Sequence, residues 1–269
     1  MQSLTKPTTM YQHIEFEQAN GIATLTLNRP EVYHAINDLM AQEIQDAIKQ
    51  TAKSADIRVL VLSASGKAFC SGQDLKEMGE IPANFSFADT VRKKYNPIIL
   101  GLRSLNKPVI AKVQGVAAGA GCSLALAADV VIASEEASFA ELFVQIGLVL
   151  DSGSSFFLPR LVGYAKAFEL STLGDRISAI EAERIGMINK VVPADELDPT
   201  VSSIAERYAA MPTKSIALIK RMLNRSFESS LEQMLEMEMY FQEIAGRSSD
   251  FREGYTAFRE KRKPTFVGK

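Results

Sequence analysis

Three short runs constrain this chain more than any other feature: Arg58-Val59-Leu60-Val61-Leu62-Ser63, Pro108-Val109-Ile110-Ala111-Lys112-Val113 and Val130-Val131-Ile132-Ala133. Branched apolar side chains dominate them and do not alternate with polar ones. A strand with that pattern is covered on both faces, as in a parallel sheet with helices on each side. Parallel neighbours need long crossovers, and the intervals here are long enough to hold helices. Between the first runs, Met40, Ile44 and Ile48 recur at helical spacing behind Asp38, which reads as the cap. Phe87 to Leu105 reads as a second helix, and Ser123 to Ala128 as a third, built of small residues. Ahead of them, His13–Glu17 and Ile22–Leu27 flank Asn20-Gly21, a hairpin signal. The predicted class is α/β, with a strand–strand–helix rhythm that repeats.

From about Pro199 the pattern becomes purely helical. Residues 1–198 are therefore expected to form the core and 199–269 a helical region. The stripe Leu231, Met234, Met237, Tyr240, Phe241 fits core or a subunit interface better than a cofactor site, since amphipathic helices bury such a stripe by default.

Composition removes several classes. A net charge of -2 over 269 residues gives no field to attract nucleic acid or an anionic membrane. No run is long and apolar enough to span a membrane, and the first ten residues lack the apolar run of a signal peptide. Two cysteines, Cys70 and Cys122, are too few for a disulfide framework or a zinc site and read as buried, inert thiols. A reducing, cytoplasmic compartment is expected. The only histidines, His13 and His34, lie far from any cysteine, and His34 is expected at the surface.

The chemistry concentrates in two glycine loops and one acid. Lys67-Ala68-Phe69-Cys70-Ser71-Gly72-Gln73-Asp74-Leu75 and Gln114-Gly115-Val116-Ala117-Ala118-Gly119-Ala120-Gly121-Cys122 each follow a buried strand and enter a helix. Backbone N–H groups at such turns can face a developing negative charge. Asp151 stands alone in Ile146-Gly147-Leu148-Val149-Leu150-Asp151-Ser152-Gly153-Ser154-Ser155. It reads either as a helix cap or as an acid/base in an apolar pocket. Val149, Leu150, Phe143 and Phe69 are candidate walls for that pocket, which would raise the acid's pKa.

Together and in this order, these segments resemble the crotonase (enoyl-CoA hydratase/isomerase) superfamily. Leu27-Asn28-Arg29-Pro30, Leu158-Pro159-Arg160, Gly174-Asp175-Arg176-Ile177-Ser178-Ala179 and the tail from Glu253-Gly254 to Phe266 extend the resemblance over nearly the whole chain. It implies a spiral of strand–strand–helix turns with a C-terminal helical trimerisation region. It also implies an acyl-CoA thioester as substrate, a homotrimer or dimer of trimers, and no cofactor beyond the coenzyme A of the substrate. The matching oxyanion donors are the N–H groups of Gln73 and Ala120. Contacts to coenzyme A are expected around Ala68, Ser71, Gly72, Asp74 and Gly119, with Phe258 and Lys261 supplied by a neighbouring subunit.

The resemblance also locates what is missing. The family's hydratases carry two glutamates, at positions that are Ser123 and Phe143 here. Neither side chain exchanges a proton near neutral pH, so simple hydration is not expected. Glu141 is close to the second position, but its backbone setting aims it elsewhere. In dehalogenase relatives an aspartate at the Asp151 position attacks with help from a histidine, and Lys94-Tyr95-Asn96-Pro97-Ile98 offers none. The ring-1,2-epoxyphenylacetyl-CoA isomerases keep a lone aspartate in a very similar loop. The expected activity is therefore isomerisation or rearrangement of an enoyl or epoxy acyl-CoA by one carboxylate. The alternatives are a hydratase with altered residues and a degenerate binding protein. The acyl pocket is expected to be shaped by the Phe87–Leu105 helix and by Met78 to Phe85.

Overall fold

The computed structural model describes residues 11–79 and 84–269, so residues 80–83 of the segment from Met78 to Phe85 lie outside the described residues. A six-stranded sheet runs in the order β1 (Ile14–Ala19), β2 (Ile22–Leu27), β3 (Val59–Ala64), β4 (Val109–Val113), β6 (Val130–Ser134), β9 (Lys190–Val192). β1 and β2 form the antiparallel hairpin, and every later pairing in this sheet is parallel. Asn20 and Gly21 both have positive φ, 52° and 80°, as a tight two-residue hairpin turn requires.

The unbroken apolar runs are explained by two cores. All six residues of β3 are buried. Leu60 and Leu62 face one side, with Met40, Ile44 and Ile48 of the helix Asp38–Lys53. Val59 and Val61 face the other, against Val201 and Ala205 of the helix Leu197–Ala210. Because successive strand side chains alternate faces, a strand between two helical layers has no polar face to show.

A second, three-stranded sheet holds β5 (Val116–Ala118), β7 (Ser138–Ala140) and β8 (Ile177–Ser178). Thus β4 turns into β5 and then into the helix Ala120–Leu126, and β6 turns into β7. These are the turns of the expected spiral.

Four expectations change. The cap of Asp38–Lys53 is Asn37, whose side chain accepts from Met40 N–H, leaving Asp38 as the first helical residue. The small-residue helix starts at Ala120, not Ser123, because Gly119 at φ 52° lets the chain turn in earlier. The stretch from Phe87 is not one helix: Phe87–Thr90 passes into a π turn, Val91–Tyr95, before Asn96–Ser104. Lastly, His34 is not at the surface but fully buried. Its Nδ1 accepts from the Arg29 N–H at 3.0 Å, so Nε2 carries the proton it donates to the Ser65 carbonyl at 2.7 Å. Burial lowers its pKa, so it is a neutral clamp between two loops.

Beyond Ala210 the helices Thr213–Arg225, Leu231–Gly246 and Ser249–Glu260 follow. Arg58, just before β3, anchors them by donating to Thr213 Oγ1 and to the Phe266 carbonyl, each at 2.9 Å. The helix Leu231–Gly246 buries none of its residues within one chain.

Candidate active site

The two glycine loops are laced together by backbone. Phe69 N–H and Cys70 N–H both donate to the Val116 carbonyl at 3.0 Å, and Ala118 N–H donates to the Cys70 carbonyl at 2.9 Å. Such proximity leaves no room for side chains. A Cβ on Gly115 would stand 1.9 Å from the Lys67 carbonyl oxygen, and one on Gly121 would stand 2.2 Å from that of Cys70. Gly72, at φ 96°, lies against the Ala118 carbonyl and the Ala120 nitrogen. Gln73 N–H and Ala120 N–H are thereby brought to one spot. Neither has a protein acceptor among the described residues, so both are available to a ligand oxygen.

They open on a cavity of about 240 Å³ whose lining includes Ser71, Gly72, Gln73, Gly119, Ala120 and Asp151. Asp151 is the one carboxylic acid among its described lining residues. The helix that follows is capped by Gly153 with no side-chain cap, so the Asp151 carboxylate is not a cap. Only its backbone carbonyl serves there, accepting from Ser154 N–H at 3.0 Å. The side chain takes one hydrogen bond, from Ser152 Oγ to Oδ1 at 2.7 Å. Burial raises the Asp151 pKa, opposed by that hydroxyl.

Of the four expected walls, Phe143 lines the cavity and the others do not. Phe69 is fully buried in the core, and Val149 is 83% exposed. Leu142, Ile146 and Leu148 take their place, since the 3-10 turn Leu142–Ile146 rotates a different set inward. Phe87, Val91 and Tyr95 close the opposite side.

Tyr95 was not legible as a site residue. The π turn places its ring in the lining, and its hydroxyl donates to Gln73 Oε1. Burial first, and then neighbouring acidic groups, push its pKa upward, so the phenol stays protonated. It thus grips the side chain of the residue whose N–H faces the cavity.

The remaining candidates are placed as follows. Ala68 is buried, and its carbonyl accepts from Gln114 Nε2 at 2.6 Å. Ser71 is exposed at the cavity mouth. Asp74 is buried, accepting from Glu77 N–H at 3.0 Å and from Arg29 at 2.9 Å. Burial opposes its ionisation, but those two donors outweigh it and hold its pKa below the usual range. Its side chain is committed to the loop, leaving only backbone for a ligand. Phe258 is 84% exposed and Lys261 is exposed just past the last helix. Phe258 lines a separate groove among the C-terminal helices, not the Asp151 cavity.

Ser123 is fully buried and Glu141 is 2% exposed, and neither lines the cavity. Burial raises Glu141 to about 7. Among the described residues no cluster of three or more His, Cys, Asp or Glu side chains could hold a metal ion.

Sequence and structure comparisons place the chain among known proteins. Residues 17–269 match the enoyl-CoA hydratase/isomerase family model. The chain belongs to the enoyl-CoA hydratase/isomerase family. It is 41% identical over 259 residues to the 1,2-epoxyphenylacetyl-CoA isomerase of Escherichia coli (strain K12), covering 96% of this chain and 97% of that one. It is 35% identical over 249 residues to the mitochondrial enoyl-CoA hydratase of Pongo abelii, covering 92% and 84%. The crystal structure of an enoyl-CoA hydratase from Mycobacterium smegmatis superposes with a TM-score of 0.89 at 32% identity, covering 95% of this chain and 99% of that one. The protein is an enzyme of this family, and its relatives carry both isomerase and hydratase names.

Proposed function

We propose that the protein is an acyl-CoA isomerase that shifts a double bond, or rearranges an enoyl or epoxy acyl-CoA, with Asp151 as its one proton carrier. The observation that carries this reading is that, among the described residues, Asp151 is the sole carboxyl lining a cavity that also presents the N–H groups of Gln73 and Ala120, neither with a protein acceptor. The thioester carbonyl binds both N–H groups, which stabilise the enolate as the α- or γ-proton leaves. Each such donor is typically worth about 3 kcal/mol of barrier. Asp151 takes the proton from one carbon and returns it to another on the same face. Its raised pKa brings the carboxyl toward the range where both steps proceed.

Hydration needs a second group to activate water, and Ser123 and Phe143 supply none. The apolar walls Leu142, Phe143, Ile146 and Leu148 keep water away from the intermediate. The hydratase-named relatives support a second reading, hydration by the same site with a different proton carrier. We further propose a homotrimer or dimer of trimers, with Phe258 and Lys261 reaching a neighbour's coenzyme A. No cofactor beyond the substrate's own coenzyme A, no nucleic acid partner and a cytoplasmic location complete the proposal. No helix among the described residues is long and apolar enough to cross a membrane.

The test is to incubate the enzyme with a β,γ-enoyl-CoA in deuterated water and follow label in the product. Isomerisation with label incorporation is expected, and Asp151→Asn should remove it. Fast hydration of crotonyl-CoA, or an active Asp151→Asn, overturns the reading.

A further inference from the structure

Among the buried acids that the reaction at Asp151 does not use, Glu141 stands out by an unpaired oxygen. Glu141 follows β7 directly and does not line the cavity. Its Oε1 accepts from Ser154 Oγ at 2.7 Å, while Oε2 is buried with no hydrogen-bond partner among the described residues. Ser154 Oγ and Ser123 Oγ are 2.6 Å apart, and either can donate. Ser123 Oγ in turn lies 3.2 Å from the Gly119 carbonyl oxygen and 3.4 Å from that of Asp151. The Gly119 carbonyl shares its peptide with the Ala120 N–H. One hydroxyl chain therefore joins Glu141 to the backbone of both halves of the site.

Each serine has one proton, so the chain points one way at a time. With Glu141 protonated, the acid donates to Ser154, Ser154 to Ser123, and the Ser123 proton is free for the two carbonyls. With Glu141 ionised, the direction reverses, and the carbonyls lose that donor. A hydrogen bond to a carbonyl polarises its peptide and strengthens the N–H on the other side. We propose that Glu141 is a positioning residue whose protonated carboxyl, through Ser154 and Ser123, strengthens the Ala120 donor and seats Asp151. The inference rests on reading Asp151 as the proton carrier.

The surroundings favour the neutral acid. Burial is the largest influence on Glu141, partly opposed by Ser154 and Cys122 and reinforced by Asp151. Cys122, from the helix Ala120–Leu126, is itself held protonated by burial, and Asp151 comes from the loop before the helix Ser154–Val162. No Lys, Arg or His acts on Glu141 among the described residues. A carboxyl that merely fills space would affect stability and leave the pH dependence of turnover unchanged.

The test is the pH profile of kcat and KM for β,γ-enoyl-CoA isomerisation, read from roughly pH 5.5 to 9 so that it spans the carboxyl's raised range. Asp151 must be ionised to accept a proton, so kcat rises through its pKa. Glu141 must be protonated, so kcat in the wild type falls again as pH passes its value. Glu141→Gln keeps a donor at all pH and should retain kcat without the alkaline fall. Ser154→Ala breaks the chain and should lower kcat about tenfold with KM within about twofold, also without the fall. An unchanged alkaline fall in Glu141→Gln overturns the inference. So does wild-type kcat in Ser154→Ala, which carries the test alone if Glu141→Gln does not fold. Asp151→Asn in the same assay separates the two readings. If it is active, the Asp151 reading fails. If it is inactive beside an unaltered Glu141→Gln profile, only the role of Glu141 fails.

Discussion

The loops at the strand ends and the helices beyond Ala210 solve opposite problems. The loops are finished within one chain: backbone bonds between Cys70 and Val116–Ala118 fix them, and glycines allow the approach. The helices are not finished. Leu231–Gly246 leaves Leu231, Leu235, Met239 and Tyr240 more than half exposed, beside a groove of about 910 Å³ shared with Phe258 and Phe266. A single chain rarely leaves so continuous an apolar face to water. On the proposed reading, thioester activation belongs to the backbone of one chain, whereas the C-terminal face would find its use against another surface.

The sharpest way to break this contrast is at Gly121. Its Cβ would collide with the Cys70 carbonyl, a backbone atom that cannot swing aside. Gly121→Val is expected to cost several kcal/mol, on the order of 3–5, the scale of a severe core clash. Chemical denaturation would show it as a large drop in midpoint or a failure to recover folded protein. A variant of wild-type stability would mean that the loops are not locked.

Next in size is the chemistry. Asp151→Asn should lower kcat by about 10²–10⁴, the range for losing a general base. Circular dichroism should be unchanged, since among the described residues the carboxylate accepts one hydrogen bond, from Ser152 Oγ, and it caps nothing.

Glu141 tests the buried ground beneath the loops. Its pKa is raised to about 7 from 4.5, so the unfolded chain loses this proton first as pH rises. Stability is therefore unaffected below the unfolded value, declines as pH rises toward about 7, and stays reduced above it. Glu141→Gln removes that penalty and should stabilise the protein at alkaline pH by up to about 3 kcal/mol relative to its effect at acid pH. Thermal melts at both ends of the range check it; equal effects at both would mean that the acid ionises freely in the fold.

How much of this was legible depends on whether the cause was local. β3, β4 and β6 were visible because two-sided burial writes itself into consecutive residues. The two glycine loops were visible through glycines, and at Gly115 and Gly121 a Cβ would meet backbone. His34 was misplaced because its burial depends on Arg29 N–H and on Ser65, which is remote in sequence. The π turn left no periodic trace, so Tyr95 went unseen as the partner of Gln73. Val149 looked like a wall, yet the 3-10 turn Leu142–Ile146 faces Leu142, Ile146 and Leu148 inward instead. The Glu141–Ser154–Ser123 chain joins residues from three separate segments, and nothing within any one segment shows that they meet.

On the unfinished side, Met239→Lys places a charge on the exposed apolar face of Leu231–Gly246. If that face meets another copy, sedimentation velocity should show a shift toward monomer, with the melting temperature of the monomer fold little changed. An assembly indifferent to the substitution would place the interface elsewhere.

The smallest expected effect sharpens the contrast most finely, because it asks whether the unfinished region reaches into the finished one. Phe258 lines the C-terminal groove of its own chain and is far from buried. If a neighbouring subunit borrows it to cover coenzyme A, Phe258→Ala removes binding surface that ground state and transition state share. KM for the acyl-CoA should then rise by about three- to tenfold while kcat at saturation holds, the signature of uniform binding. A fall in kcat at constant KM would instead place the residue's influence on the reacting carbons, and the two regions could no longer be treated as chemically separate.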